Sequence, residues 1–315
     1  MPRLVHIPRD LGACFSVEQA RHAGVRCGRL RSPDLERPFR GVRRFTDPDV
    51  SVEGESRRAQ LLRAAHAYRA RMRLSEFFSH ETAAAIWGAP LPVGRTPHGV
   101  DVAVCGEQHV SRAVGVRGHR VPSAAASITE VEGLRVASPA STWAMLGAWS
   151  VTDLVALGDY FCRVWRVGHG RRDPGRPPLT TVESLGEALK ASRRIGAARL
   201  REALGLIRCD AWSPRETACR LRLVAHGLPE PELNMDVFDR FQFLGCVDLA
   251  YPQYKLGIEY HGALHHATYA EDVERIARFR ADDWTMLEVT NILFRDGDRL
   301  ERRAEAALRS GGWRP

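Results

Sequence analysis

Two carboxylates and a histidine lie close together in the last third of the chain. Glu259 follows Asp248 by eleven residues, and His261 comes two residues after Glu259 in the stretch Ile258-Glu259-Tyr260-His261. Carboxylate oxygens, together with water and phosphate, are the ligands that Mg²⁺ prefers, and Mn²⁺ accepts the same ligands. A bound ion of this kind activates water for in-line attack on phosphorus and stabilises the leaving oxygen. These residue types therefore indicate metal-dependent hydrolysis of phosphodiester bonds.

Predicted strands and helices place these residues in an α/β sandwich. The segment Ser213-Pro214-Arg215-Glu216 begins a helix, because serine caps helices and proline suits their first position. Alternating apolar residues and turn signals then predict the remaining elements. They are strands at 243–250 and 255–260 around a turn at 251–254, a helix at 271–280 and a strand at 284–290.

Side-chain alternation brings the two carboxylates to one end of the predicted hairpin. Successive side chains of a strand point to opposite faces, so Glu259 and His261 share one face. On the preceding strand, Asp248 points away from the face that Val247 and Leu249 share. If the strands pair in register, Asp248 and Glu259 converge at the open end of the hairpin. Two carboxylates in an apolar hairpin repel each other and resist ionisation, and a divalent cation removes that conflict.

The same residues carry a resemblance to the PD-(D/E)xK nuclease superfamily. Asp248, a ten-residue gap and Glu259-Tyr260-His261 resemble its core motif. The trailing Gly-Ala-Leu-His-His at 262–266 resembles the very-short-patch-repair (Vsr) endonuclease-like branch. The resemblance extends from about residue 213 to the C-terminus. It implies a restriction-endonuclease-like αβββαβ core, Mg²⁺-dependent DNA endonuclease activity with Mn²⁺ as a substitute, and Glu216 as a metal ligand beside Asp248 and Glu259.

The residue at the third position of the motif departs from the superfamily pattern. The superfamily usually places a lysine there to orient the attacking water and offset negative charge, whereas this chain has His261. Lys255 shares the strand face but lies about 13 Å from Glu259 at the usual rise per residue. His261 could accept a proton from metal-bound water, and His265 or His266 could do so or stabilise the developing charge. We expect His265 to face the site, and the substitution leaves either a histidine-assisted nuclease or a weakened one.

Simpler interpretations exist for several of these residues. Glu216 comes three positions after Ser213, so it could bond the Ser213 amide in a capping box instead of binding a metal. Asp248 could be a turn former near the end of its strand. Asp272 and Arg275 lie one helical turn apart and could form only a surface ion pair, although Arg275 could also contact a DNA phosphate.

The composition is compatible with a polyanionic partner such as DNA. The 315 residues carry a formal net charge of +8 and a pI near 9.4, which favours nucleic acid through counterion release. Lys190 and Lys255 are the only lysines, however, and such an excess of arginine can also reflect genomic base composition. The sequence shows no secretory signal and no long apolar run, so we expect a cytoplasmic protein without membrane contact. No motif indicates a small-molecule cofactor, and no pattern fixes the oligomeric state.

The first fifty residues predict a small DNA-binding module. Ser16 caps a helix that Gly24 ends, a second and basic helix begins at Arg26, and 39–45 follows as a wing. Arginines on the second helix and the wing would meet phosphates, namely Arg26, Arg29, Arg31, Arg40 and Arg43. Similar helix pairs also occur as mere packing units. The order of elements resembles the N-terminal winged helix-turn-helix of AbiEi-type antitoxins, and this resemblance implies DNA binding.

A middle region with helices and a small sheet separates these two parts. Its elements loosely resemble the body of AbiEi-type antitoxins: helices at 56–72, at 81–88 and from 138, and strands at 100–104 and 115–121. We assign no role to His80, Glu81 and His119, because a lone histidine near a helix start is usually a surface or capping residue. The predicted divisions are 1–50 for the winged-helix-like module, 51–166 for the α/β middle domain, 167–178 for a glycine- and proline-rich linker, 179–212 for connecting helices and 213–315 for the nuclease-like domain.

Two functions of different classes fit these observations. The first, which we favour, is a Mg²⁺-dependent DNA endonuclease whose N-terminal module helps to bind DNA. The second is a catalytically weak or inactive DNA-binding regulator of antitoxin type that keeps a degenerate nuclease domain. The antitoxin-like N-terminal half and the missing lysine motivate the second hypothesis.

Overall fold

The computed structural model describes residues 6–46, 54–94, 99–169, 171, 173–239, 242–261 and 269–315, with the backbone alone described at 269–272. These residues form a mixed α/β protein with three sheets. None of the helices within them combines the length and the apolar composition that crossing a membrane requires. The chain divides into two compact units. Unit 1 comprises Met1–Trp149 and Glu183–Arg201, and unit 2 comprises Ser150–Val182 and Glu202–Pro315.

A three-stranded antiparallel sheet and one helix form the start of unit 1. The strands are β1 (Cys14–Ser16), β2 (Leu35–Glu36) and β3 (Val42–Phe45), in the spatial order β1-β3-β2. Helix α1 (Val17–His22) begins with a capping box, in which Ser16 Oγ accepts the Gln19 amide and the Gln19 side chain accepts the Ser16 amide. The predicted first helix is therefore confirmed.

The predicted second helix of this module does not form. Its segment contains only a short 3-10 helix, Arg29–Arg31, after which Ser32 is extended. Pro33 disfavours a helical conformation at Ser32, and the Arg29 guanidinium holds Asp34 with two hydrogen bonds of 2.8 and 2.7 Å. The segment after α1 is thus a turn, and the expectation of a basic recognition helix starting at Arg26 is wrong.

A five-stranded mixed sheet forms the larger part of unit 1. Its strands are β4 (Glu76–Phe78), β5 (Val100–Cys105), β6 (Val116–Val121), β7 (Ile128–Val131) and β8 (Leu134–Ala137). They lie in the order β6-β5-β4-β8-β7, with the pairs β5–β6 and β4–β8 parallel. Helices α2 (Arg57–Arg69), α3 (His80–Ile86) and α4 (Pro139–Met145) belong to the same unit. The three helices and two strands that the sequence predicts in this region are confirmed.

The core of unit 1 joins α2 and α3 to the central strands. Tyr68 and Ala83 from these helices are buried together with Phe77 of β4 and Val102 of β5. Each large apolar side chain buried in this way stabilises the fold by about 1.5–3 kcal/mol. Helix α3 begins one residue after β4 ends, and Ser79 between them donates its amide to Asp101 of β5. The first residues of α3 therefore lie beside β5.

A four-stranded sheet with helices forms most of unit 2. Its strands are β9 (Glu232–Asp239), β10 (Gln242–Tyr251), β11 (Leu256–Tyr260) and β12 (Thr285–Val289), in the order β12-β11-β10-β9. Neighbouring strands are antiparallel except for the parallel pair β11–β12. The helices of this unit are α5 (Val151–Phe161), α8 (Pro214–Ala225), α9 (Tyr269–Ala281), α10 (Asn291–Arg295) and α11 (Arg299–Ser310). Helices α6 (Val182–Lys190) and α7 (Ala197–Leu206) come between α5 and α8 in the chain.

Two apolar clusters hold helices against this sheet. Leu249 and Ile258 pack with Leu223 of α8 in one cluster, which α11 completes. Val247 packs with Phe279 of α9 in the other. The helices and strands that the sequence predicts from Ser213 onward are confirmed, whereas β9 has no counterpart among them.

The alternation of β10 is interrupted at Asp248. Strand alternation predicts that Val247 and Leu249 share a face, but the two residues pack in different clusters. Regular pairing of β10 with β11 begins at Leu249, opposite Ile258. The Tyr260 amide instead donates to the side chain of Asp248, so a carboxylate takes the place of a backbone acceptor there. The expectation that Val247 and Leu249 point the same way is therefore wrong.

The glycine- and proline-rich segment at 167–178 contains no helix or strand among its described residues. This agrees with an irregular connection. However, the Arg171 side chain is only 4% exposed, and its guanidinium lies 2.6 Å from the Asp236 carboxylate of β9. This part of the segment is thus packed into unit 2 and is not a free spacer.

Candidate active site

Asp248 is the carboxylate around which the candidate site of unit 2 is arranged. Its Oδ2 accepts the backbone N–H of Tyr260 at 2.9 Å. Burial raises the pKa of Asp248 to about 7, with the negative charges of Glu216 and Glu259 acting in the same direction. The Tyr260 hydrogen bond and the Arg275 charge oppose that rise. The three expected metal ligands therefore lie close enough to act on one another's charge.

Glu216 is buried at the start of α8 and is held by two hydrogen bonds. Its Oε2 accepts the Trp212 amide and the Asn234 Nδ2, both at 2.8 Å. Ser213 Oγ accepts the Glu216 amide at 3.1 Å, so the helix start shows the serine half of the expected capping box. The Glu216 carboxylate caps the amide of Trp212 instead of that of Ser213. Its position is therefore fixed by its neighbours before any ligand binds.

Asn234 is a site residue that sequence reasoning missed. It is buried on β9 with φ at 47°, in the left-handed region that asparagine tolerates better than most residues. Its Nδ2 donates both to Glu216 and to the Asp210 carbonyl, the latter at 2.7 Å. The sequence did not indicate this role for Asn234, because β9 carries polar residues along its length and was not predicted as a strand.

Glu259 is paired with Arg275 of α9. The Glu259 side chain is buried, and Arg275 holds it with two hydrogen bonds, Nη1 to Oε1 and Nη2 to Oε2, the second at 2.8 Å. A two-point pair of this kind neutralises a buried acid and fixes its orientation. The sequence suggests that Arg275 contacts a phosphate and that Glu259 binds a metal. In the structure, Arg275 covers the Glu259 carboxylate.

His261 points its Nε2 between two acidic groups. This atom lies 3.8 Å from Glu259 Oε2 and 4.0 Å from Glu288 Oε2. It is buried, and no hydrogen-bond partner for it exists among the described residues. Glu288 is opposite Glu259 in the parallel pair of β11 and β12, a register that the sequence could not reveal. An imidazole nitrogen is a residue type that serves as a general base, so its position next to Glu259 is compatible with such a role.

The remaining residues of the motif are less informative. Lys255 precedes β11 instead of sharing its face, adopts φ of 47°, and donates from Nζ to the Asp282 carbonyl at 2.6 Å. It is therefore held away from the position of the motif lysine. His265 and the side chain of Asp272 lie outside the described residues, and the roles expected for them stay predictions.

Two partly buried arginines lie beside Trp212, whose amide donates to Glu216. The guanidinium carbons of Arg163 and Arg171 are each 4.8 Å from the centre of the Trp212 ring, close enough for cation–π attraction. Burial lowers the pKa of Arg163, and the Glu216 charge opposes that change. The Nε atoms of both arginines are buried without a hydrogen-bond partner in the described part of the chain. These arginines were not predicted as site residues because they flank or occupy the predicted linker.

The five N-terminal arginines of the predicted DNA-binding module differ in exposure. The Arg29 guanidinium is buried in its pair with Asp34. Arg43 is half-buried, and its Nε donates to the Leu30 carbonyl at 2.6 Å. The other three are exposed: Arg26, Arg31 and Arg40.

A second group of possible ligands lies in unit 1. The possible ligand atoms of His80, Asp101 and His119 all lie within 4.8 Å of one another. The carboxylates of Glu216, Asp248 and Glu259 do not form such a set. The sequence assigns no role to His80 and His119, because a lone histidine is usually a surface or capping residue. The fold brings the two histidines together.

Sequence comparison finds similarity to mycobacterial proteins. The chain is 33% identical over 99 residues to proteins of two strains of Mycobacterium tuberculosis, both of which are called uncharacterized. The match covers 30% of this chain and 36% of the length of each relative. No family model matches the chain, and no solved structure matches it.

Proposed function

We propose that unit 2 is a Mg²⁺-dependent DNA endonuclease domain with a restriction-endonuclease-like αβββαβ core, in which Mn²⁺ can replace Mg²⁺. The observation that carries the proposal is the buried Asp248 carboxylate, whose pKa is raised to about 7 by burial and by the nearby negative charges of Glu216 and Glu259. A divalent cation would relieve this excess of buried negative charge. The order α8-β9-β10-β11-α9-β12 agrees with such a core.

Each residue of the site has a separate role in this proposal. Asp248 and Glu259 would hold the ion, and Glu216 would be a further ligand. When bound, the ion supplies Lewis acidity towards a phosphate oxygen and makes water a stronger nucleophile. His261 Nε2, buried beside Glu259, accepts the proton that the attacking water loses. His265 is a second histidine for the same step.

Arg275 has to leave Glu259 before this carboxylate can bind an ion. Arg275 engages both oxygens of Glu259, so a cation competes with the guanidinium for the same lone pairs. A displaced Arg275 can bind the phosphate next to the cleaved bond, because a guanidinium also makes two-point contacts with phosphate.

Cleavage of supercoiled plasmid by the full chain tests the proposal. We expect nicking with Mg²⁺ or Mn²⁺ and none with EDTA. Asp248→Asn and Glu259→Gln should each slow nicking by at least about 100-fold, which corresponds to about 3 kcal/mol of lost transition-state stabilisation. Glu232→Gln removes an exposed carboxylate of the same sheet and should keep the original rate. Nicking that is equally fast in Glu259→Gln would contradict the proposal.

A DNA-binding regulator of antitoxin type with an inactive nuclease fold is the second candidate. The closed Arg275–Glu259 pair and His261 in the place of the lysine favour it. Salt-dependent binding to the promoter of its own gene, without nicking and unchanged in Asp248→Asn, would support it. Alanine at the exposed Arg26, Arg31 and Arg40 should then weaken binding and flatten its salt dependence. Unchanged binding in that triple variant would remove the basis of this candidate.

A further inference from the structure

The five-stranded sheet of unit 1 brings together three residues with metal-binding side chains. His80 is the first residue of α3, which follows β4, and the amide of the intervening Ser79 donates to the Asp101 carbonyl of β5 at 3.1 Å. His119 lies on β6, opposite Ala103 of β5 in parallel register. Asp101 and Ala103 are two residues apart, so Asp101 and His119 are diagonal neighbours on one face of the sheet. All three side chains therefore meet at one place.

The contacts within this group are short. His119 Nε2 lies 2.8 Å from Asp101 Oδ1. The imidazole rings of His80 and His119 stack with their centres 3.8 Å apart and an angle of 21° between their planes. The two histidines thus share one carboxylate neighbour, and their possible ligand atoms and those of Asp101 lie within 4.8 Å of one another.

Buried hydroxyl groups hold the group in place. The His80 Nδ1 is 3.0 Å from the buried Ser79 hydroxyl, which leaves Nε2 as the second ring nitrogen. The Asp101 amide donates to the buried Thr82 hydroxyl at 2.8 Å. Partners of this kind orient metal ligands in proteins and tune their basicity. Ser79 thus holds the imidazole of His80, and Thr82 holds the backbone of Asp101, before anything binds.

His80 also adopts an unfavourable backbone conformation. Its φ is 46°, in the left-handed region, which costs a residue with a Cβ atom roughly 1–2 kcal/mol. Backbone strain of this kind persists only where the surrounding structure holds the residue in place, and strained residues cluster at active and ligand-binding sites. A hydrogen bond between Asp101 and His119 alone would need no strained second histidine stacked on the first.

The group can be reached from solvent, because the His119 side chain remains 21% exposed.

We propose that His80, Asp101 and His119 form a binding site for a divalent transition-metal ion, for which Zn²⁺ is the best match. Two imidazole nitrogens and one carboxylate are a ligand set typical of Zn²⁺ and unlike the all-oxygen set that Mg²⁺ prefers. Bonds of about 2.0–2.1 Å to a tetrahedral Zn²⁺ place ligand atoms about 3.3 Å apart. Binding therefore requires the two rings to tilt out of their stack, and the ion replaces the proton between His119 and Asp101. Water from the exposed side completes the coordination.

Binding of Zn²⁺ alone to the full chain tests this proposal. We expect equilibrium dialysis to show one Zn²⁺ per chain that His119→Ala and Asp101→Asn weaken by at least about 100-fold. His22→Ala, at an exposed histidine of the same unit, is the matched control and should bind like the original chain. Glu259→Gln should also keep Zn²⁺, so failure here and failure of the nuclease proposal are distinguishable. Equal Zn²⁺ affinity in His119→Ala and the original chain would overturn the proposal.

Two further measurements keep the Zn²⁺ proposal testable if His119→Ala does not fold. The original chain with Co²⁺ in place of Zn²⁺ should show the visible bands of a nitrogen- and oxygen-ligated ion without a thiolate charge-transfer band. Zn²⁺ should raise the melting temperature of the original chain and of His22→Ala, but not that of the conservative His119→Gln. A thiolate band, or no spectral change at all, would contradict the assignment even if no His119 variant folds.

Discussion

At the scale of single residues, the pair of Arg275 and Glu259 determines both the stability and the proposed chemistry of unit 2. Both side chains are mostly buried, with 21% and 7% exposed, and each neutralises the other. Breaking a buried ion pair costs more than the pair contributes, because the remaining charge stays in a poorly solvated place. The proposed ion would take over the role of Arg275 at the same oxygens.

This exchange predicts the behaviour of Arg275→Ala. The variant should lose about 2–3 kcal/mol of unfolding free energy, somewhat less than a fully buried pair would lose. Mg²⁺ should restore part of that loss, and it should stabilise the variant more than the original chain, because no guanidinium competes with it. Urea denaturation with and without Mg²⁺ measures both effects.

Arg302→Ala is the control for this measurement. It removes an exposed pair with Asp298 on α11 and should change the unfolding free energy little, with no dependence on Mg²⁺. If Mg²⁺ stabilises Arg275→Ala no more than the original chain, the competition between Arg275 and the ion does not exist.

Asn234 gives a second test at the same scale. Its side chain joins Glu216 to the Asp210 carbonyl, and its backbone is left-handed. Asn234→Ala should lose about 2–3 kcal/mol, from both the hydrogen bonds and the strain of alanine at this φ. Asn234→Gly loses the same hydrogen bonds without that strain and should be about 1 kcal/mol more stable than the alanine variant. Equal stability of the two variants in urea denaturation would show that the backbone conformation does not matter.

At the scale of elements, α5 and α8 meet at a buried acid. Asp159 of α5 accepts the Arg208 amide and the Thr217 hydroxyl, both at 2.7 Å, and lies 3.8 Å from the Arg220 guanidinium. Burial nevertheless raises the pKa of Asp159 to about 6. The native state therefore holds this proton more tightly than the unfolded chain does. The resulting stabilisation is complete below about pH 4 and is lost as the pH rises to about 6.

Asp159→Asn cannot lose this stabilisation, because an amide does not ionise. The difference in unfolding free energy between the variant and the original chain should therefore shift in favour of the variant as the pH rises from about 4 to about 7. The expected shift is about 3 kcal/mol. Urea denaturation of both proteins across this pH range measures it, and a difference that is independent of pH would show that Asp159 does not titrate in this way.

The individual strands and helices show which parts of the fold could be predicted from the sequence. The strands β10 and β11 were predictable because apolar residues alternate around a proline turn. β9 was not, because it carries polar residues such as Asn234 and Asp236, which have buried or paired roles that only the folded chain defines. The expected second helix failed because Pro33 and the Arg29–Asp34 pair end the turn early.

The candidate site was predictable in part for related reasons. Asp248 and Glu259 stand out because acids within apolar strands need a partner. The break in alternation at Asp248 depends on a hydrogen bond from the Tyr260 amide to its side chain, which no sequence pattern encodes. The group of His80, Asp101 and His119 escaped notice because its members come from three elements.

At the scale of the whole molecule, the two units carry two different ligand sets. The ligands proposed in unit 2 are carboxylate oxygens, and those proposed in unit 1 are two imidazoles and a carboxylate, so the two proposals predict different metals. The net charge of +8 is compatible with DNA as the partner of the whole chain. The net charge alone does not show which arginines would contact DNA, because Arg29 and Arg43 bind other groups within unit 1.

A crystal of the full chain soaked in Mn²⁺ tests the nuclease proposal, because the anomalous signal of Mn²⁺ identifies the ion at its site. We expect an anomalous peak bound by oxygens of Asp248 and Glu259, with Glu216 nearby and Arg275 displaced from Glu259. A crystal of Glu259→Gln treated in the same way should lack that peak. Density without a peak at these carboxylates, with Arg275 still on Glu259 at saturating Mn²⁺, would contradict a metal-dependent nuclease site in unit 2.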